Sequence, residues 1–204
     1  MKICVPFKFW NSAMHCVAEN DVRFYLNGIH ISHGLIESTN GHITYQAKFS
    51  HDVGLQNFDG EIDQVWPDTI IQPVGKAPSL SVKRRTCWLI IDRKGDSSKA
   101  LITYVSHRLD VIDVQSAQII DGKFPDFKKT FQKSKFKKSK DQFNIAFNAR
   151  YLAMPQKILE LEHSRYPGSV LLEAQGGTDY SRIEICRAAS EAESEFLFLM
   201  PVRM

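Results

Sequence analysis

The chain has 204 residues and a mass of 23.3 kDa; 43% of the residues are apolar and 24% charged, a composition that supports one or two globular domains and excludes disorder of the whole chain. No apolar run reaches the roughly 20 residues that span a bilayer, and the opening MKICVPFKFW lacks a signal peptide's long apolar core, so the sequence predicts a soluble, cytoplasmic protein. The net charge of +3 hides an uneven distribution: residues 123–140 hold eight lysines against Asp126 alone, and the rest of the chain is net acidic.

Residues 6–18 predict a helix, since Pro6 suits a first turn and Phe9, Trp10, Ala13, Met14 and Val17 recur at helical spacing. Alternation from Phe24 to Ile31 about Asn27-Gly28 predicts a hairpin. A second tight turn, Ser38–Gly41, separates Leu35-Ile36 from Ile43–Tyr45. Residues 50–68 are polar and acidic and read as a long connection. Strands are expected at Thr69–Val74 and Lys83–Asp92, the latter with Trp88 and Ile90 on one face; the intervening GKAPS is a loop, and no helical period is evident there. Ala100–Ser106 and Leu109–Val114 complete an antiparallel meander over 83–120.

After the lysine-rich segment, residues 143–164 predict a strand and then a helix with Asn148 as its N-cap and a bend or late start at Pro155. Three closing strands follow in YPGSVLLEAQGG, RIEICRA and EFLFLMPVRM. The fold class is α+β, with antiparallel sheets and helices on one face. The four cysteines, Cys4, Cys16, Cys87 and Cys186, include no Cys-x-x-Cys pair and read as free thiols.

Catalytic patterns are weak. His30-x-x-His33 lacks a third ligand at metal spacing, Ser106, His107 and Asp110 lack a strained nucleophile turn, and Gly176-Gly177 stands outside any phosphate-binding motif. Neither an enzyme, nor a cofactor, nor a metal is predicted. Phe127, Phe131 and Phe136 recur within the lysine-rich segment at roughly helical spacing, as core contacts would; stacking on single strands is the other reading.

Four segments carry a resemblance in the same chain order: FYLNG…STNGHITY at 24–45, IIDGKFPDF at 119–127, FNARYL at 147–152 and the terminal MPVRM. Together they resemble the bacterial sliding clamp, the DNA polymerase processivity factor, in shortened form. Residues 1–130 look like the clamp's middle domain and residues 141–204 like the second half of its last domain, with 128–140 as a lysine-rich linker. Two departures stand out in the turn, where Asn40 replaces an Asp and Ile43 an Arg, and the helix that clamps carry near residues 75–85 is not evident.

The resemblance implies a DNA-clamp-like fold and a homo-oligomeric ring, a trimer favoured, of the kind a phage carries. Its partners would be duplex DNA held without sequence preference, and a DNA polymerase and clamp loader bound through clamp-binding peptides. The implied peptide groove comprises Gly41, His42, Ile43, Phe124, Pro125, Leu199, Met200, Pro201, Val202 and Met204. The candidate phosphate contacts are Lys2, Lys8, Lys128, Lys129, Lys133, Lys135, Lys137, Lys138, Arg150 and Lys157. Two further readings are a clamp mimic or regulator that binds such peptides or a host clamp without forming a ring, and a nucleic-acid binder acting through the lysine segment alone.

Overall fold

A computed structural model describes residues 2–49, 62–63, 67–95, 97–127, 146–160, 168–174, 180–187 and 192–201. Strand β1 (Lys2–Pro6) leads straight into helix α1 (Phe7–Met14), which buries Phe7, Phe9, Trp10 and Ala13. Strands β2 (Ile29–Ser32), β3 (Leu35–Thr39) and β4 (Ile43–Phe49) form a meander. A second β-α-β-β-β repeat follows: β5 (Thr69–Pro73), α2 (Leu80–Arg85), β6 (Trp88–Asp92), β7 (Lys99–Val105) and β8 (Val111–Ile120). The last unit comprises α3 (Ala149–Leu152), α4 (Met154–Leu159), β9 (Gly168–Ala174), β10 (Ser181–Arg187) and β11 (Ala192–Leu199).

Among the described residues eleven strands join one sheet in the order β1-β6-β7-β8-β5-β2-β3-β4-β11-β10-β9, and every pairing is antiparallel. The two complete repeats exchange strands reciprocally. The first strand of one lies beside the second strand of the other, β1 against β6 and β5 against β2. The last unit joins through β11 on β4, with Leu199 opposite Ile43 and Leu197 opposite Tyr45.

One core runs beneath this sheet. Ile29, Ile31, Ile36, Ile43, Tyr45, Leu89, Ile91, Ile183, Ile185, Leu197 and Leu199 meet Phe9, Trp10 and Ala13 of α1 and Met154, Ile158 and Leu159 of α4, with Val82 of α2 packed alongside. The helices therefore share one face of the sheet. The other face carries a cross-strand polar row: His30 stands opposite Glu37 and Glu37 opposite Gln46. Glu37 accepts from Gln46 Nε2 at 2.5 Å and lies 3.0 Å from His30 Nδ1. No helix among the described residues is long and apolar enough to cross a membrane.

The structure corrects three expectations. Leu80–Arg85 is a helix, capped by Ser79, whose hydroxyl accepts from the Val82 N–H at 3.3 Å; residues 83–85 thus belong to it and β6 starts at Trp88. Only Val82 turns to the core from this short helix, too few positions to show a period. Phe24–Leu26 is one 3-10 turn rather than a strand, and the hairpin reverses at His33-Gly34. Gly28 answers to packing instead: a Cβ there would meet Ile70 at 2.8 Å and the Ile71 carbonyl at 3.0 Å, so its absence lets β5 approach. The predicted break near Pro155 falls at Ala153, between α3 and α4.

Candidate nucleic-acid face and peptide strip

Basic side chains gather on the helical face. Lys8 and His15 lie seven residues apart along α1 and its C-cap, hence on one side. Burial, then the positive charges of Lys83 and Lys157, hold the His15 imidazole below the ordinary 6.5, with Glu160 opposing. Three helices from three parts of the chain thus carry basic side chains on this face: Lys8 on α1, Lys83 on α2 and Lys157 on α4. Arg84 and Arg85 stand exposed in the last turn of α2, where cations also complement the helix dipole. Lys8 sits 5.2 Å from the Phe9 ring centroid.

Of the predicted phosphate contacts, Lys8, Arg150 and Lys157 are on helices, Arg150 and Lys157 exposed. Lys2 lies instead on β1 opposite Asp92, and its backbone N–H donates to Asp63. Lys128, Lys129, Lys133, Lys135, Lys137 and Lys138 lie outside the described residues, as do Phe131, Phe136 and the Gly176-Gly177 pair. The sequence reading missed Lys83, Arg84 and Arg85. Ser79 as a cap and three cations closing the turn were the signals available.

The second site is a strip along the end of β4 and β11. The Met200 N–H donates to the His42 carbonyl at 3.0 Å, so the last strand zips onto the Asn40–His42 turn. Asn40 shapes that turn, its side-chain oxygen accepting from the N–H groups of His42 and Ile43 at 3.0 and 3.1 Å, which is how Asn serves where Asp is expected. Gly41 has φ +87°, and a Cβ there would meet the Arg23 guanidinium at 3.0 Å. Asp21 fixes Arg23 through two contacts of 3.0 and 2.8 Å, and these hold the Asp21 carboxyl down at about 2. The His42 ring stacks on Tyr151 of α3 at 6.0 Å and 17°.

His42 and Met200 are exposed at the surface and Pro201 is half-buried; Ile43 and Leu199 are buried and fill the core beneath. Phe124 and Pro125 lie on the opposite face from the helices. Phe124 is buried, stacks on His30 at 4.8 Å and meets Phe127 edge-on at 5.8 Å. With Pro125, His30, Glu37 and Asp68 it borders a cavity of about 700 Å³. The 3-10 turn links this segment to the strip, since Gly122 packs against Tyr25 and Phe24 while Arg23 packs on Gly41. Phe24 is 55% exposed, an apolar surface that the sequence reading did not include. Val202 and Met204 lie outside the described residues.

Other candidates resolve into local structure. The Ser106 hydroxyl accepts from the N–H groups of Arg108 and Asp110 at 3.1 Å and so closes a turn. Among the described residues no group of three or more His, Cys, Asp or Glu side chains is placed to hold a metal ion. Burial raises the Cys4 thiol to about 12 and the Cys16 thiol further, which leaves both in the inert form.

No family model and no curated protein matches the sequence. Solved structures do match in fold. A DNA polymerase sliding clamp from Pseudomonas aeruginosa superposes with a TM-score of 0.58 at 12% identity, covering 100% of this chain and 67% of that one. A second Pseudomonas aeruginosa clamp, bound to griselimycin, gives 0.55 at 12% identity, covering 100% and 66%. The H. pylori beta clamp in complex with diflunisal gives 0.59 at 12% identity, again covering 100% and 66%. The chain thus has the sliding-clamp fold and spans about two thirds of the length of these clamps.

Proposed function

From a chain that carries the sliding-clamp fold over its whole length, we propose a non-enzymatic DNA-tethering function: copies assemble into a ring around duplex DNA and hold a polymerase there as a processivity factor. The observation that carries this reading is that three helices packed on one face of the sheet each carry basic side chains: Lys8 on α1, Lys83, Arg84 and Arg85 on α2, and Lys157 on α4. Cations spread over helices along one face meet phosphates without reading base edges, as a sliding contact requires. Linkage to the duplex keeps the tethered enzyme at high effective concentration, so a modest peptide affinity suffices.

On this reading residues 1–130 form a clamp domain and residues 141–204 a half-domain joined through the 128–140 linker. Counted as two domains, the chain suits a ring of three copies; counted as three half-modules, four. Polymerase and clamp-loader peptides dock along His42, Met200 and Pro201, with Gly41 and Arg23 shaping the turn. Exposed Met and aromatic side chains suit Leu and Phe anchors. The test is salt-dependent binding to duplex DNA of unrelated sequences. Similar affinities that weaken steeply with salt support the reading; binding that depends on sequence, or is insensitive to salt, counts against it.

A further inference from the structure

The hairpin between β7 and β8 closes in a tightly bonded turn. The Ser106 hydroxyl accepts from the N–H groups of Arg108 and Asp110, the Ser106 N–H donates to the Asp110 carbonyl at 2.9 Å, and the Leu109 N–H donates to the Ser106 carbonyl at 3.0 Å. Leu109 is held at φ +68°, a left-handed conformation that leucine seldom adopts. Beside the last turn of α2, the exposed His107 and Arg108 of this turn border a hollow of about 470 Å³ together with Arg85. Among the described residues that line it the one carboxylate is Asp110, whose Oδ2 lies 3.3 Å from Ser106 Oγ. Arg23, Arg182 and Arg187 each meet a carboxylate, whereas among the described residues neither Arg85 nor Arg108 makes an ion pair. Register places the turn at the same end of the sheet as the peptide strip. From Val105 opposite Val111, that end passes through Pro73 opposite Ala117 and Ile29 opposite Ile71 to Thr39 opposite Thr44, next to the Asn40–His42 turn.

We propose that this hollow binds a phosphodiester group of nucleic acid, so that contact with DNA runs from the helical face over the end of the sheet that also carries the peptide strip. The inference rests on the DNA-tethering reading. Two guanidinium groups without carboxylate partners, one from a helix and one from a turn fixed by its own hydrogen bonds, suit the oxygens of one phosphate and read no base. Lys83 and Arg84 precede Arg85 on α2, so a chain of phosphates meets several cations here where a single phosphate ion would meet two. A partner docked at His42 and Met200 would then find the emerging DNA held at the same end of the molecule.

Duplex affinity measured against salt concentration tests this on the full chain, in wild type and in two double variants, Arg85→Gln with Arg108→Gln and Arg85→Lys with Arg108→Lys. The Gln pair should melt like wild type, bind duplex several-fold more weakly and lose about 0.9 from the slope of log affinity on log salt, for the one phosphate no longer neutralised. The Lys pair should keep the wild-type slope, because it keeps both charges. An unchanged slope in the Gln pair would overturn the proposal. So would a Gln pair that loses binding to vesicles of anionic phospholipid while its duplex binding stays intact, since the hollow would then serve a membrane surface. Retention on circular DNA with an unchanged slope in the Gln pair would overturn the site and spare the ring; a flattened slope in a protein that slips off circular DNA would spare the site and overturn the ring.

Discussion

Arg187 and Glu195 are each about 1% exposed at the side chain, and they hold the last unit to the first. Glu195 accepts from Arg187 at 2.7 and 2.8 Å and from the Tyr45 hydroxyl at 2.8 Å, while Arg187 also donates to Ser12 Oγ at 2.9 Å. Removing one partner strands a buried charge, so Arg187→Ala should cost about 3–5 kcal/mol in denaturant unfolding. The pair Arg187→Met with Glu195→Leu should cost much less, and a loss below about 1 kcal/mol for the single variant would contradict this picture. Tyr45→Phe should cost about 1 kcal/mol, because the carboxylate keeps its guanidinium. Burial, then the Glu195 charge, holds the Tyr45 hydroxyl well above its ordinary value, so it stays a donor throughout the accessible range.

His15 gives a pH dependence with a definite sign. Its folded pKa lies below the ordinary 6.5, so the unfolded chain binds the proton first; the contribution is full above that value and is lost as pH falls below it. Lys83→Ala or Lys157→Ala should raise the His15 pKa in an NMR titration, and bound duplex should raise it too. An unchanged value in both variants would mean that neither ammonium acts on His15. None of this was legible in the sequence: Glu195 ends an acidic run that reads as solvated surface, and the lysines that act on His15 stand 68 and 142 residues further along the chain.

At the scale of elements, the strands read well because their burial alternates. β2, β6 and β10 each bury every second residue, a pattern that survives in any sequence window. α2 failed to show because one inward side chain, Val82, is enough to seat six residues, and its boundaries rest on the Ser79 cap. Charge reversal of Lys83, Arg84 and Arg85 to Glu should weaken duplex binding and flatten its dependence on log salt by about 0.9 for each phosphate that is no longer neutralised. An unchanged slope would exclude α2 from the interface.

The strip was half legible. The turn and the terminal strand carry their signal locally, in Asn40-Gly41 and the Met200-Pro201 pair, and the fold brings them together at the Met200–His42 hydrogen bond. The contribution of Arg23 and Phe24 was hidden, since residues that look like an alternating strand form a 3-10 turn instead. Deleting residues 200–204 should reduce binding of a clamp-binding peptide tenfold or more while assembly persists, because β11 pairs with β4 as far as Leu199. Full peptide affinity in that truncation would place the site elsewhere.

For the whole molecule, the order of the four recognisable segments pointed to the fold, and the structure adds how a chain spanning two thirds of the matched clamps' length pairs its strands. Reciprocal strand exchange covers the edges between the first two repeats, and β11 on β4 attaches the third. A closed ring is revealed by its retention on DNA. The chain, with whatever loading factor it requires, is incubated with closed circular duplex and with the same duplex linearised, then washed at high salt, where electrostatic contacts are screened. The expected result is that it stays on the circle and is released when the circle is cut. Equal loss from both forms would mean that the protein binds DNA by its cationic face alone and encircles nothing.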